Sequence, residues 1–229
     1  MPRKPRFYLP HVPVHLVQRG HCRAPIFFDL QDYVTYLHWV KASSEKYDVA
    51  IHAFVLMTNH VHILATPKEG PEVSLFMQFI GRHYVPYINR KYDRSGTLWE
   101  GRYKASLVQE EGYFLNVMKY IELNPVRANM VDVPSHYRWS SYCHNTGVKK
   151  IKFIKFHQTY LALGPTKGLR SKAYINLFMQ DLTSAEMKHM RDAWQTGTPL
   201  GSDRFIEKVE QQLARKVGQA RRGRPIKGL

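Results

Sequence analysis

Hydrophobic and polar positions along the chain change period several times, and each change marks an element. Residues 12–19 (VPVHLVQR) alternate as a half-buried strand does, and Gly20 and Pro25 then supply turn chemistry. Between about 30 and 47, Leu30, Tyr33, Val34, Leu37 and Val40 recur at helical spacing. A β run AIHAFVLM (50–57), the polar pair Thr58-Asn59 and a second run HVHILA (60–65) read as an antiparallel hairpin. Residues 72–92 return to helical spacing, with Val73, Phe76, Met77 and Ile80 on one face, and the Gly-containing DRSGTLWEGR leads to a short strand around 103–109. A further helix begins near Gly112 and stops at Asn124, because Pro125 disfavours helical geometry at the residue before it. The order β-α-β-β-α-β-α predicts a ferredoxin-like α+β domain, an antiparallel sheet with helices on one face.

Beyond about residue 165 the character shifts. Thr183-Ser184-Ala185-Glu186 has capping-box spacing for a helix running to about Thr196. After the loop GTPLGS comes a second helix with Ile206, Val209, Leu213 and Val217 on one stripe. Two short helices across a turn fit a DNA-reading helix-turn-helix, and they fit a hairpin that packs on the main domain equally well. Residues 215–229 (RKVGQARRGRPIKGL) hold six basic and no acidic side chains and little to bury. The expected organisation is a main domain over residues 1–150, a small helical extension over 151–218 and a disordered basic tail over 219–229.

Charge narrows the class of partner. The 34 Lys+Arg against 18 Asp+Glu give a formal +16, which favours a polyanion over a small metabolite as the substrate. No apolar run approaches membrane-spanning length, and MPRKPRFYLP lacks the apolar segment of a signal peptide, so a cytoplasmic protein without a membrane partner is expected. Cys22 and Cys143 stand far apart with no CxxC spacing, which supports neither a zinc ribbon nor a disulfide framework; both are expected as packing residues.

Candidate chemistry lies in the hairpin and the last helix of the main domain. Residues two apart on a strand point the same way, so His60 and His62 project together, roughly 6.5 Å apart along the strand, within joint reach of one divalent ion. On the helix, Phe114, Val117, Met118 and Ile121 form the core stripe, and Tyr113, Asn116, Tyr120 and Asn124 form a second stripe beside it. Tyr120 and Asn124 are i,i+4 neighbours, which sets a phenol beside a possible third metal ligand. The same residues also read as a boundary aromatic and a helix C-terminal cap, and spacing alone leaves both readings open.

Several motifs in order break that tie. AIHAFVLM, MTNHVHILATP, GTLWEGRYKASLV, YFLNVMKYIELNPVRANMV and YRWSSY resemble the bacterial REP-associated tyrosine transposases, relatives of the insertion-sequence single-tyrosine transposases in the HUH class. The resemblance runs from about His15 to Tyr142. It implies that His60 and His62 bind Mg²⁺ or Mn²⁺, that Tyr120 is the nucleophile, and that Asn124 is the third metal ligand. It further implies cleavage and rejoining of single-stranded DNA at imperfect hairpins through a 5′-phosphotyrosine, with no ATP.

Such a substrate needs cations along its backbone and aromatic platforms under unstacked bases. Arg19, Arg23, Arg82, His83, Arg90, Lys91, Arg102 and Lys104 are the candidate contacts, with Trp99 and Trp139 as candidate platforms, although Trp139 in YRWSSY reads more readily as a core residue. Arg222 and Arg224 lie in RRGRP, a segment similar to the AT-hook core that enters narrow minor grooves. Two other classes compete: a hairpin-binding regulator that keeps the fold but does no chemistry, and a zinc hydrolase. The hydrolase lacks an acidic general base near the histidines and leaves Tyr120 without a role. Monomer and homodimer are both compatible with the sequence.

Overall fold

The computed structural model describes residues 6–218. The expected order appears: β1 (Val14–Arg19), α1 (Leu30–Tyr47), β2 (Val49–Met57), β3 (His60–Pro67), α2 (Glu72–Lys91), β4 (Lys104–Leu107) and α3 (Glu110–Glu122). The strands form one sheet in the order β2-β3-β1-β4 with each neighbouring pair antiparallel, the ferredoxin-like arrangement.

Local chemistry sets the element ends. Asp29 and Asp32 form a reciprocal capping box at the start of α1, and Asp48 closes that helix in the left-handed region at φ 50°. The buried Asp32 also accepts from Tyr87, Lys91 and Tyr92 of the α2 end, which ties the two helices together. Gly112, at φ 76°, kinks α3 so that its straight part begins at Tyr113. The sequence placed the helix end at Asn124; α3 instead ends at Glu122, and Asn124 opens the single turn α4 (Asn124–Arg127), with Pro125 in its first turn. There the proline's missing N–H would be unpaired in any case.

Both faces of the sheet are covered. Paired residues across antiparallel strands share a face, so His60, His62, Arg19, His15, Lys104 and Ser106 lie on one side. Val61, Ile63, Val14 and Leu16 take the other side and are fully buried in the core. Helices α1 and α2 pack on each other and on β2, and form the layer over this apolar row. The histidine face is not open to solvent: α3 packs on β2 and β3 across it, and a C-terminal helix adds to that cover.

The chain continues through α5 (Tyr142–Asn145), α6 (Gln158–Leu161), α7 (Lys167–Leu177), α8 (Ser184–Thr196) and α9 (Asp203–Leu213). These elements are tied to the sheet and to α3. Lys155 N donates to Ile51 O at 2.8 Å, and Leu200 N donates to Leu107 O at 2.7 Å. Tyr174 of α7 donates to Glu122 of α3 at 2.8 Å. The capping box Thr183/Glu186 starts α8 as its spacing predicts, and α8 packs on β4 and β1.

Two expectations about single residues change. Cys22 is exposed, in a short 3-10 turn with φ 51°, so it is not a packing residue; Cys143 is half-buried. Trp99 is about nine-tenths buried, so it is not an open platform for a base; Trp139 is buried to the same degree and stacks on Tyr33 at 4.6 Å, the core position expected of it. Among the described residues no helix is long and apolar enough to cross a membrane. The segment holding Arg222 and Arg224, and the tail over 219–229, lie outside the described residues.

Candidate active site

The histidine pair sits where β3 leaves its turn. Gly20 N donates to Asn59 O at 2.8 Å, and its Cα has no room for a side chain, since a Cβ there would meet Ala24 O at 2.2 Å. Asn59 donates Nδ2 to Arg23 O at 2.9 Å, which turns its Oδ1 to His60 Nδ1 at 2.7 Å. Because that Oδ1 only accepts, His60 carries its ring proton on Nδ1 and keeps a lone pair on Nε2. His60 is half-buried, and His62 is 2% exposed. Their ring centroids are 5.1 Å apart.

Helix α3 lays Tyr120 beside these rings. The Tyr120 ring is 5.9 Å from His62 and 6.0 Å from His15, edge-on to both. Only 4% of Tyr120 is exposed. Asn124, one turn on, donates Nδ2 to Tyr120 O at 3.0 Å and to Ile121 O at 3.3 Å, and its side chain neighbours that of His60. Capping therefore uses only the nitrogen end of the amide. The nitrogen closes the helix, and the oxygen takes no part in those bonds.

Electrostatics favour neutral imidazoles. Burial, helped by the Arg19 charge, pulls His60 down to about 4, although the neighbouring Asn124 side chain raises it. Burial also holds His62 well below the usual histidine range, with His15, His60 and Arg127 adding to the effect. His15 is lowered to about 3 by burial alone. A neutral imidazole is the form that ligates a metal. No group of three His, Cys, Asp or Glu side chains among the described residues could hold an ion. A third ligand for an ion at this pair would be of another type, and an amide oxygen such as that of Asn124 is one. Two neutral imidazoles and an amide oxygen make a donor set that fits a divalent ion with its full charge left for an anionic substrate.

Four members of this cluster do not stand out in the sequence pattern as site residues: His15, Asn59, Arg127 and Trp194. His15 Nε2 lies 2.8 Å from His62 Nδ1. Arg127 donates to the Tyr120 carbonyl and Trp194 of α8 points its indole N–H at the Tyr120 hydroxyl, at a long 3.5 Å. Trp194 also meets the His62 ring edge-on at 5.9 Å, and Lys104 Nζ lies 5.5 Å from the centre of the Trp194 ring.

The expected DNA contacts divide into two groups. Arg19, on the rung of His60, is held bidentate by Glu100 at 2.6 and 3.0 Å; Arg23 is bonded through its carbonyl to Asn59, and Lys104 lies by Trp194. These three border the histidines. Arg82, His83, Arg90 and Lys91 instead line a shallow groove of about 480 Å³ between α1 and α2, with Thr35, Trp39, Pro86 and Tyr87. That groove belongs to the helical layer on the other side of the sheet, and Lys91 is committed there to Asp29 and Asp32. Arg102 is exposed in the loop before β4.

The fold and the cluster together define a ferredoxin-like domain with a histidine pair on a central strand and a tyrosine helix across it. Comparison with known proteins gives this class its family. The model of the family described as "Transposase IS200 like" matches residues 9–124, just over half of the chain, and the chain belongs to that family. A curated protein of Haemophilus influenzae named as a REP-associated tyrosine transposase is 22% identical over 124 residues, which span 49% of this chain and 70% of that protein. A solved structure of a REP-associated tyrosine transposase bound to a REP hairpin superposes with a TM-score of 0.56 at 16% identity, covering 69% of this chain and 99% of that one. At that identity the likeness speaks for the fold.

Proposed function

We propose that this chain cuts and rejoins single-stranded DNA at hairpins, with Tyr120 as the nucleophile and a divalent ion, Mg²⁺ or Mn²⁺, held by His60, His62 and Asn124. The observation that carries the reading is the convergence of one phenol, two neutral imidazoles and one amide oxygen on a single patch of the sheet. The bound ion would supply charge to offset that on the scissile phosphate. The Tyr120 oxygen would form a bond to phosphorus as its proton leaves, and the bond from phosphorus to the 3′-oxygen would break. That oxygen takes up a proton, which leaves a 5′-phosphotyrosine and a free 3′-hydroxyl. One phosphodiester replaces another, so the step reverses without ATP. Backbone binding falls to Arg19, Arg23 and Lys104, which border the histidines, and the hairpin as partner follows the bound DNA named for the solved relative.

One observation favours a second reading, a hairpin-binding regulator without chemistry: Tyr120 is nearly closed off beneath Trp194. Incubation with a 3′-labelled single-stranded hairpin and Mn²⁺ separates the two. The transesterase reading expects labelled DNA attached to the protein after denaturation, and none in EDTA. Hairpin binding without any adduct over a range of hairpin sequences and divalent ions would leave the regulator.

A further inference from the structure

His15 is as deeply placed as His62, at 1% against 2% exposure, and is the second residue of β1. The β1–β3 register pairs Val17 with His62 and His15 with Leu64, so His15 and His62 are diagonal neighbours on one face. Their rings stack at 5.0 Å with 27° between planes, and His15 Nε2 is 2.8 Å from His62 Nδ1. Two nitrogens this close share one proton, and which ring owns it decides the chemistry of His62. If His15 donates, His62 carries its own proton on Nε2 and has no lone pair left for an ion. If His62 donates, its Nε2 is free.

The neighbouring ligand candidate shows the same device. Asn59 accepts from His60 Nδ1 and leaves His60 Nε2 unprotonated. Ligating histidines commonly use their second nitrogen in this way, and removing the partner weakens metal binding.

We propose that His15 is a positioning residue for His62: its Nε2 accepts the His62 Nδ1 proton, fixes the ring and presents an unprotonated His62 Nε2 to the ion. The inference rests on the metal reading above and adds one residue to it. His15 touches neither substrate nor reacting atoms in this role.

Two variants and two readouts test it. His15→Phe keeps a flat ring of similar size and removes both nitrogens, whereas His15→Gln restores a polar atom near the Nε2 position. In the metal-free protein, nitrogen-15 NMR of the imidazoles should find His62 protonated on Nδ1 in the wild type and in H15Q, with that preference lost in H15F. Mn²⁺ affinity, read by electron paramagnetic resonance, should fall about 10- to 100-fold in H15F and stay near wild type in H15Q. A wild-type His62 protonated on Nε2 overturns the role of His15, and does so even if H15F fails to fold. So does an H15F protein that folds and binds Mn²⁺ as the wild type does. If the wild type binds no Mn²⁺ at all, the metal reading falls and the role of His15 in it falls too; unaltered Mn²⁺ binding in H15F overturns His15 alone.

Discussion

Arg127 donates Nη2 to the Tyr120 carbonyl at 2.7 Å and lays its guanidinium 4.4 Å from the centre of the Tyr120 ring. One side chain thus holds both the backbone and the ring of the proposed nucleophile, from a helical turn that begins only after α3 has ended. The short helix α4 and its Pro125 start are what bring Arg127 back over Tyr120. Arg127→Met should leave the fold intact and slow adduct formation on the order of 100-fold, the cost expected when a reacting group is misplaced by about an ångström. Arg127→Lys should recover part of the rate, since an ammonium can reach the carbonyl but cannot spread flat over the ring. Single-turnover cleavage of a labelled hairpin measures both, and a full rate in R127M would assign Arg127 to packing.

Trp194 covers the same phenol from the other side. Its indole is 3.5 Å from the Tyr120 hydroxyl, and DNA must displace it or slide beneath it to reach that oxygen. Trp194→Ala should therefore raise the rate at which tetranitromethane nitrates Tyr120 in the free protein, while nitration of a distant exposed tyrosine stays constant. Peptide mass mapping reads each site separately. Equal nitration of Tyr120 in both proteins would mean that the indole gives no shielding in solution.

Much of this arrangement is legible in the sequence, and the rest fails for physical reasons. Helix α1 is readable as a helix because its apolar spacing is helical and its ends carry Asp29, Asp32 and Asp48. Its buried face is not: Leu30 and Val34 of the expected stripe are exposed, and Tyr36 joins Val40 in the core. His60 and His62 are visible together because a strand's two-residue period is local. The contact between His15 and His62 spans 47 positions and depends on the β1–β3 register, which alternation within β1 does not specify. Trp194 lies 74 positions from Tyr120, on a helix whose docking site no local pattern encodes. Helices α5 and α6 are four residues each, too short to show a period. The groove of Arg82, His83, Arg90 and Lys91 shows the opposite failure: charge alone grouped them with Arg19, although they occupy the other helical layer.

Glu122, two positions after Tyr120, is fully buried and accepts from Ser141 at 2.5 Å, Asn145 at 2.7 Å and Tyr174 at 2.8 Å. Burial outweighs those three donors and raises its pKa from 4.5 to about 7. The folded chain therefore holds this proton more tightly than the unfolded chain. Below about 4.5 the group has no effect; as pH rises to about 7 the unfolded state ionises first and stability falls; above that the whole loss is present. Buried histidines such as His52, lowered to about 4, act in the opposite sense below pH 6.5. A difference measurement removes them: urea unfolding should show the wild type losing roughly 2 to 3 kcal/mol relative to Glu122→Gln between about pH 5 and pH 8. A constant difference across that range would show that Glu122 is not held protonated.

Glu100 neutralises the cation nearest to the histidine rung. Its carboxylate holds Arg19 bidentate, and Arg19, Lys104 and Arg23 hold it below the usual carboxylate range in return. Glu100→Gln should free Arg19 for phosphate, tighten hairpin binding and steepen its dependence on salt by about one counterion. Arg82→Ala with Arg90→Ala, in the α1–α2 groove, should leave binding and salt slope much closer to wild type. Fluorescence anisotropy over a salt series separates the two faces, and a larger effect from the α2 pair would move the DNA path to that groove.

The sharpest test concerns which tyrosine forms the covalent bond, because Tyr113 and Tyr120 share a stripe of α3. They stand seven residues apart, roughly 10 Å along the helix axis, so both cannot meet one scissile phosphate. Tyr113 is half-buried near His189, with 6.2 Å between ring centroids, whereas Tyr120 lies edge-on to His15 and His62 with Asn124 one turn away. Gly112, just before Tyr113, carries the helix kink, so Tyr113 also sits at the least regular end of α3. Tyr120→Phe should fold and bind hairpin DNA as the wild type does and form no adduct. Tyr113→Phe should still form it. Trypsin digestion of the wild-type adduct and mass spectrometry would locate the phosphotyrosine, and its appearance on Tyr113 or on any residue other than Tyr120 would overturn the proposed chemistry.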